Sequence, residues 1–417
     1  MTGGTSLLLL PALGLSTGVR SWQSSYKSTF SSLLLKLIPQ DKTSTSRLDI
    51  GLVLSPSYSI STTSRSTLFG QLQNVLKQAY SLITSVATSQ RIDLDFPGGI
   101  DIRLFILEPR VDELPQKVVG KQSLSGPVVD IDTFVLSDRS YNTIYSVEGE
   151  TGEAQLKQFL TTWGSRLKGE PPPVVRLPSG PAIINPAEPP SPVQDGPVTD
   201  HASVAVGGTF DHLHIGHKLL LTGTILAAHP SPTQPRLITV GITGDELLVS
   251  KKYGSQVESW SARQERTAEF VDSIVAFYPR KASPSTSANG NGLRTTEYID
   301  EPGPNGKVVR VTYKSPPGST EQEIIINYTQ ISDPFGPTIT DPNISAIVLS
   351  AETRAGGKAI NDKRKEKGWR ELDVFEVGIL DASTASEDDS DAVSKTESFE
   401  SKISSTEIRR RLQERTQ

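Results

Sequence analysis

Proline neither donates a ladder hydrogen bond nor continues a helix, so regular packing stops where prolines gather. Ten of the chain's 29 prolines fall between Pro171 and Pro197. That concentration predicts an extended linker over 169–199, separating a unit at 1–168 from a longer one at 200–417. Each is long enough to bury its own core.

The first unit reads as α/β. Ser6–Ala12 and Leu48–Leu54 are short apolar runs bounded by Ser, Gly or Pro, as buried strands would be. Helical spacing of apolar residues follows over 66–87, then strands near Ile100–Leu107 and Val128–Leu136 and a helix near Glu153–Trp163. Residues 1–40 carry Arg20, Lys27 and Lys36 with no acid before Asp41, a composition that overlaps with a mitochondrial leader. A folded strand and a helix at Trp22–Leu37 is the reading taken, with a cytoplasmic location expected and a mitochondrial one as the alternative. No chemical motif stands out in this unit.

From Ser203 the pattern alternates strand, loop and helix, which predicts a parallel sheet. Strands are expected at Ser203–Val206, Leu237–Ile242, Ile324–Asn327, Ala346–Leu349 and Val374–Ile379. Helices are expected near Gly216–Ala228, Ala262–Val275, Gly357–Lys367 and Thr406–Glu414. Residues 281–320, rich in Ser, Gly, Asn and Pro, and residues 381–400, with seven acids against one lysine, read as solvated insertions. Arg263, Arg266, Arg364 and Lys365 are assigned to solvated helix faces.

Two stretches carry chemistry. In Val204–Lys218 an apolar strand ends in Gly207-Gly208, then come Thr209, Phe210, Asp211 and three of the five histidines before a helix begins near Gly216. A glycine turn at a helix N-terminus is a site for an anion such as phosphate. His214 and His217, three apart, can face one ligand and donate hydrogen bonds to phosphoryl oxygens as charge builds. Three histidines within six residues of a loop suit zinc poorly, and no metal site is assigned. The second stretch, Lys402–Arg409, places Ser404 and Glu407 as a capping box, with Ser405, Thr406 and Arg409 on the following turn. Two such helix starts facing one cleft could hold both ends of a polyphosphate. Lys251, Lys252, Glu352 and Arg354 fall just past strand ends, where ligands of open parallel sheets bind; Lys252 reads as ordinary loop charge.

Gly-Gly-Thr-Phe-Asp-x-x-His-x-Gly-His at 207–217, with Ile-Ser-Ser-Thr-x-Ile-Arg at 403–409, resembles the HxGH nucleotidyltransferase superfamily. Lys251, Asp333–Pro337 and Ser350–Asn361 narrow the resemblance to its eukaryotic-type phosphopantetheine adenylyltransferase family, in the form without a dephospho-coenzyme A kinase domain, over roughly 203–415. The resemblance implies a Rossmann-like domain that transfers AMP from ATP to 4′-phosphopantetheine, with Mg²⁺ arriving on ATP rather than held by a dedicated protein site. It implies catalytic roles for His217, His214 and Lys251. It implies ATP binding by Gly208, Thr209, Phe210, His214, His217, Arg354, Ser404, Ser405, Thr406 and Arg409, and substrate binding by Thr209, Lys251 and Arg354. Ala351 departs from the family, whose members usually carry an acid there. No G-x-x-x-x-G-K-[ST] occurs, so the next step of coenzyme A synthesis is expected from another protein.

The absence of cysteine excludes disulfides, thiolate metal sites and a cysteine nucleophile. A net charge of −5 argues against nucleic acid as a partner, and no apolar stretch is long enough for a membrane helix. Two alternatives stay open: the same fold with another acceptor, and a scaffold in which residues 1–168 associate with other coenzyme A pathway enzymes. Because every matched motif lies within 200–417, that part alone is expected to retain activity.

Overall fold

The computed structural model describes residues 4–15, 17–55, 60, 63–94, 98–108, 126–167, 169–180, 199–278, 293–301, 306–315, 321–378, 380 and 404–416. Two α/β units are built on two sheets. The first sheet has six strands in the order β4-β3-β2-β1-β5-β6, all parallel. They are β1 (Thr5–Pro11), β2 (Ser46–Val53), β3 (Ile100–Glu108), β4 (Val128–Asp130), β5 (Thr143–Val147) and β6 (Val174–Leu177). Helices α1 (Val19–Leu37), α2 (Arg65–Ser89), α3 (Ile131–Leu136) and α4 (Glu150–Arg166) connect and cover them. The central strands are buried along nearly their whole length, which explains their continuous rather than alternating apolar runs.

The second sheet has seven strands in the order β13-β12-β7-β8-β11-β10-β9. Its parallel part comprises β7 (Ser203–Gly208), β8 (Arg236–Thr243), β11 (Ile324–Ile331), β12 (Ala346–Ser350) and β13 (Asp373–Val377). A hairpin of β9 (Arg294–Ile299) and β10 (Val308–Tyr313) extends it antiparallel. The helices are α5 (Ile215–Ala227), α6 (Trp260–Val275), α7 (Arg354–Glu366) and α8 (Ser405–Thr416).

Four expectations need correction. The run Val128–Leu136 is a strand only to Asp130, whose carboxylate accepts from the Thr133 N–H at 2.8 Å and caps α3. Val174–Leu177, inside the segment read as linker, pairs with β5 as the edge of the first sheet, where its proline neighbours cost no ladder bond. The segment 281–320 holds the β9–β10 hairpin, because Val308, Val309, Val311 and Tyr313 supply buried β-branched and aromatic residues amid polar composition. Arg263 and Arg364 are fully buried, not solvated. The acidic segment 381–400 lies outside the described residues. No helix among the described residues is long and apolar enough to cross a membrane.

The units are not independent. One apolar core runs from Leu7 through Val377. Phe69 of α2 packs on Phe375 of β13, ring centroids 4.8 Å apart. Arg139 lies between Phe105 and Phe277 and joins Asp49 of β2 to the Ser273 carbonyl of α6. Gly126 lies so close to α6 that a Cβ would meet the Ile274 oxygen at 1.9 Å. The packing therefore speaks against an autonomous 200–417. Phe69→Ala is expected to cost about 3 kcal/mol, and calorimetry of the intact chain should show a single transition; two separated transitions would contradict a shared core.

Candidate active site

The strand ends of β7, β12 and β13 open into a cavity of about 350 Å³ lined by both sequence motifs. Gly207, Gly208, Thr209, His214 and His217 come from the first motif, and Ser404, Ser405, Thr406 and Arg409 from the second. Lys251, Ser350, Glu352, Thr353, Val377, Gly378 and Leu380 also line it. A Cβ on Gly207 would meet nothing within 4 Å, so protein packing does not demand a glycine there; the free space belongs to the cavity.

Helix α5 starts under His214, which caps it. The Gly216 N–H donates to His214 Nδ1 at 3.2 Å. That bond fixes the neutral ring with its proton on Nε2, leaving one donor for a ligand. The His217 ring stacks on His214 at 3.9 Å and lies 5.4 Å from the buried ring of Phe210. His217 Nδ1 is buried without a hydrogen-bond partner among the described residues. Burial pushes His217 down to about 3, with the His212 charge adding to the effect. Burial likewise holds His214 well below the ordinary imidazole value, aided by His217 and Lys218. Both rings are thus neutral donors near pH 7, facing a cavity flanked by the N-terminal ends of α5 and α8.

Asp211 ties the motifs together. Fully buried, it accepts from Arg409 Nη1 at 2.8 Å and from the Glu258 N–H at 2.9 Å, while its backbone carbonyl accepts from Ser405 Oγ at 2.8 Å. The Glu407 N–H donates to Ser404 Oγ at 3.3 Å, one half of the expected capping box. The Glu407 carboxylate turns instead to Arg410 and Arg411. Phe210 and His212 bracket Asp211 with φ of 51° and 46°, a left-handed conformation that costs non-glycine residues energy. His212 is fastened by Gln256 and Glu258 and does not line the cavity.

Composition alone does not mark Arg263, although its helical spacing from Thr267, Phe270 and Ile274 places it on the buried face of α6. It donates to the carbonyls of Thr209, Thr243 and Glu258 and to Asp245, at 2.7 to 3.0 Å. One guanidinium therefore pins the end of β7, the end of β8 and the turn leading to exposed Lys251. Arg364 does the same for the carbonyls of Thr338, Ile344 and Arg370. Two expected ligand-binding residues stand elsewhere: Phe210 is buried behind His217, and exposed Arg354 forms a two-pronged pair with Glu376. Among the described residues no three His, Asp or Glu side chains converge as metal ligands.

A family model described as a domain of unknown function (DUF8446) matches residues 1–183. An uncharacterized protein of Schizosaccharomyces pombe is 30% identical over 42% of this chain and 39% of its own length. A protein of Saccharomyces cerevisiae named phosphopantetheine adenylyltransferase is 32% identical over 50% of this chain and 48% of its own. The archaeal protein of that name from Methanothermobacter thermautotrophicus is 26% identical over 44% of this chain and 76% of its own. Over about half its length the chain is thus similar to proteins named phosphopantetheine adenylyltransferase. It spans less than half the length of the two yeast relatives.

Two outcomes follow from this geometry. Arg409→Met strands the buried Asp211 carboxylate and should cost about 3–5 kcal/mol in chemical denaturation; a loss below about 1 kcal/mol would mean the pair is solvent-screened. In the ligand-free protein, His214 and His217 bind protons less readily than in the unfolded chain. Stability should therefore fall as pH drops from about 6.5 toward 3, and His217→Gln should flatten that fall in pH-dependent melting. An identical pH profile in the variant would refute the assignment.

Proposed function

We propose that this protein is a phosphopantetheine adenylyltransferase, transferring AMP from ATP to 4′-phosphopantetheine and releasing pyrophosphate. The observation that carries the reading is the convergence of two neutral imidazoles and two helix N-termini on one cavity, with Lys251 at its rim. The relatives named for this activity support it.

In such a transfer the attacking phosphate oxygen of the acceptor displaces pyrophosphate at the α-phosphorus of ATP. The protein needs to align the two and stabilise charge on the α-phosphate oxygens. Nε2–H of His214 and the ring of His217 supply neutral donors that become stronger partners as that charge builds. Thr209 and Lys251 are assigned to the acceptor phosphate. Ser404, Ser405 and Thr406 are assigned to nucleotide phosphates at the start of α8. Glu352 is the one carboxylate in the described lining, and Mg²⁺ is assigned to the ATP phosphates rather than to a protein cage. The metal would enter on the ATP phosphates, where it neutralises charge.

Arg409 is given a different role from the one the family resemblance implies. Its pairing with Asp211 makes it the residue that positions α8. No covalent intermediate is needed.

Pyrophosphate release with ATP and 4′-phosphopantetheine as the only substrates tests the assignment; release with a different acceptor, and none with this one, would overturn it. His217→Ala should lower kcat by about 100- to 1,000-fold, as loss of a transition-state donor does, and a near-wild-type rate would remove His217 from the mechanism.

A further inference from the structure

Two walls of the cavity rest on side chains of the first unit. Lys218 follows His217 directly in the first turn of α5, yet it does not line the cavity. Its side chain is buried, with Nζ 2.5 Å from Asp101 Oδ1 on β3. Asp101 also accepts from Arg103, Nη2 to Oδ2 at 2.6 Å, and Arg103 reaches Ser273 Oγ on α6. At the other wall, Gly378 lines the cavity just past β13, and its N–H donates to Gln73 Oε1 of α2 at 3.2 Å. Lys77, one turn along α2, lies against the same glycine: a Cβ there would stand 2.8 Å from Lys77 Cδ.

A buried ammonium is costly unless it is paired, and here the partner comes from the other unit. A cation one residue past His217 is also misplaced electrostatically, since the first turn of a helix already carries positive partial charge. Asp101 offsets that charge and gives α5 a fixed attachment on β3. Rotating or sliding α5 would break the contact, so the direction in which His214 and His217 point is set from across the unit boundary. The Gln73 bond does the same for the backbone of Gly378, whose own missing side chain lets α2 approach.

We propose that the first unit is a positioning element of the active site, with Asp101 acting through Lys218 on the histidine pair and Gln73 acting through Gly378 on the β13 wall. This gives a task to the region matched by the family of unknown function. It rests on the reading of the cavity as the site of nucleotidyl transfer.

The test uses the full chain with Asp101→Asn, Asp101→Glu and Gln73→Ala. Turnover is followed by pyrophosphate release, and the imidazole signals by NMR, which five histidines in the chain make tractable. At a temperature where every variant is folded, Asp101→Asn should lower kcat about 10- to 100-fold, the scale of a small misplacement of reacting groups. It should also shift the His214 and His217 resonances, with Asp101→Glu recovering most of both effects. Gln73→Ala should raise the KM for ATP several-fold and leave kcat nearly unchanged.

If Asp101→Asn does not fold, the double variant with Lys218→Met removes both buried charges and is read in the same way. A folded variant that only melts earlier, with wild-type kcat, KM and imidazole spectrum, would overturn the proposal. A wild-type chain that releases no pyrophosphate would sink the proposed function instead, and the imidazole comparison alone would then decide the positioning role.

Discussion

A carboxylate and a guanidinium taken out of water gain little net stability from each other, because desolvation consumes most of their attraction. The pair formed by Asp211 and Arg409 matters for another reason. It joins residues 198 apart in sequence, and neither can leave without stranding the other in the interior. Asp211 sits between two left-handed residues and Arg409 on the second turn of α8. Fixing one to the other fixes the start of α5 relative to the start of α8. The cavity is the gap between those two helix starts, so its width follows from a bond that need not touch any ligand.

Around this pair the protein repeatedly uses buried cations to gather oxygen atoms. Arg263 collects the ends of β7 and β8, Arg364 collects the turns before β12, and Arg139 joins the two units through carbonyl and carboxylate oxygens. A planar fork with five donors suits this task, since one side chain can satisfy several strand-end and turn carbonyls that the sheet itself leaves free. The two imidazoles proposed to stabilise the transferred phosphate, by contrast, are uncharged. Histidines kept neutral by burial face the cavity, while Arg409 in its wall is paired with Asp211 and Lys251 stands at its exposed rim.

The sheet and the motif positions were legible because they depend on local pattern. The parallel strands β7, β8, β11 and β12 announce themselves as apolar runs, and Gly207-Gly208 followed by His214 and His217 announces a turn at a helix start suited to an anion. What the chain did not reveal depends on partners far away in sequence. Arg263 looks like any helix charge until its spacing from Phe270 and Ile274 is weighed. The hairpin β9–β10 was masked by the Ser, Gly and Asn around it. β6 was masked by prolines that an edge strand tolerates. The family resemblance implies ligand contacts for Phe210 and Arg354, yet their side chains are turned to a neighbouring ring and to Glu376. Nothing local marks Asp101 or Gln73, because a single acid on a strand and a single amide on a helix acquire meaning only from what the other unit places beside them.

The distance in sequence between the two clasped residues also orders events in time. Contacts between segments so far apart form late, since the chain entropy of closing such a loop is lost before the contact gives anything back. α8 contributes no strand to the second sheet, and with α8 undocked the cavity would lack its Ser404–Arg409 wall. A ligand that engages both helix starts would bind only the docked form and would hold α8 in place by mass action. Amide exchange along α8 would then report occupancy of the site, even though most of that helix lies away from the bound molecule.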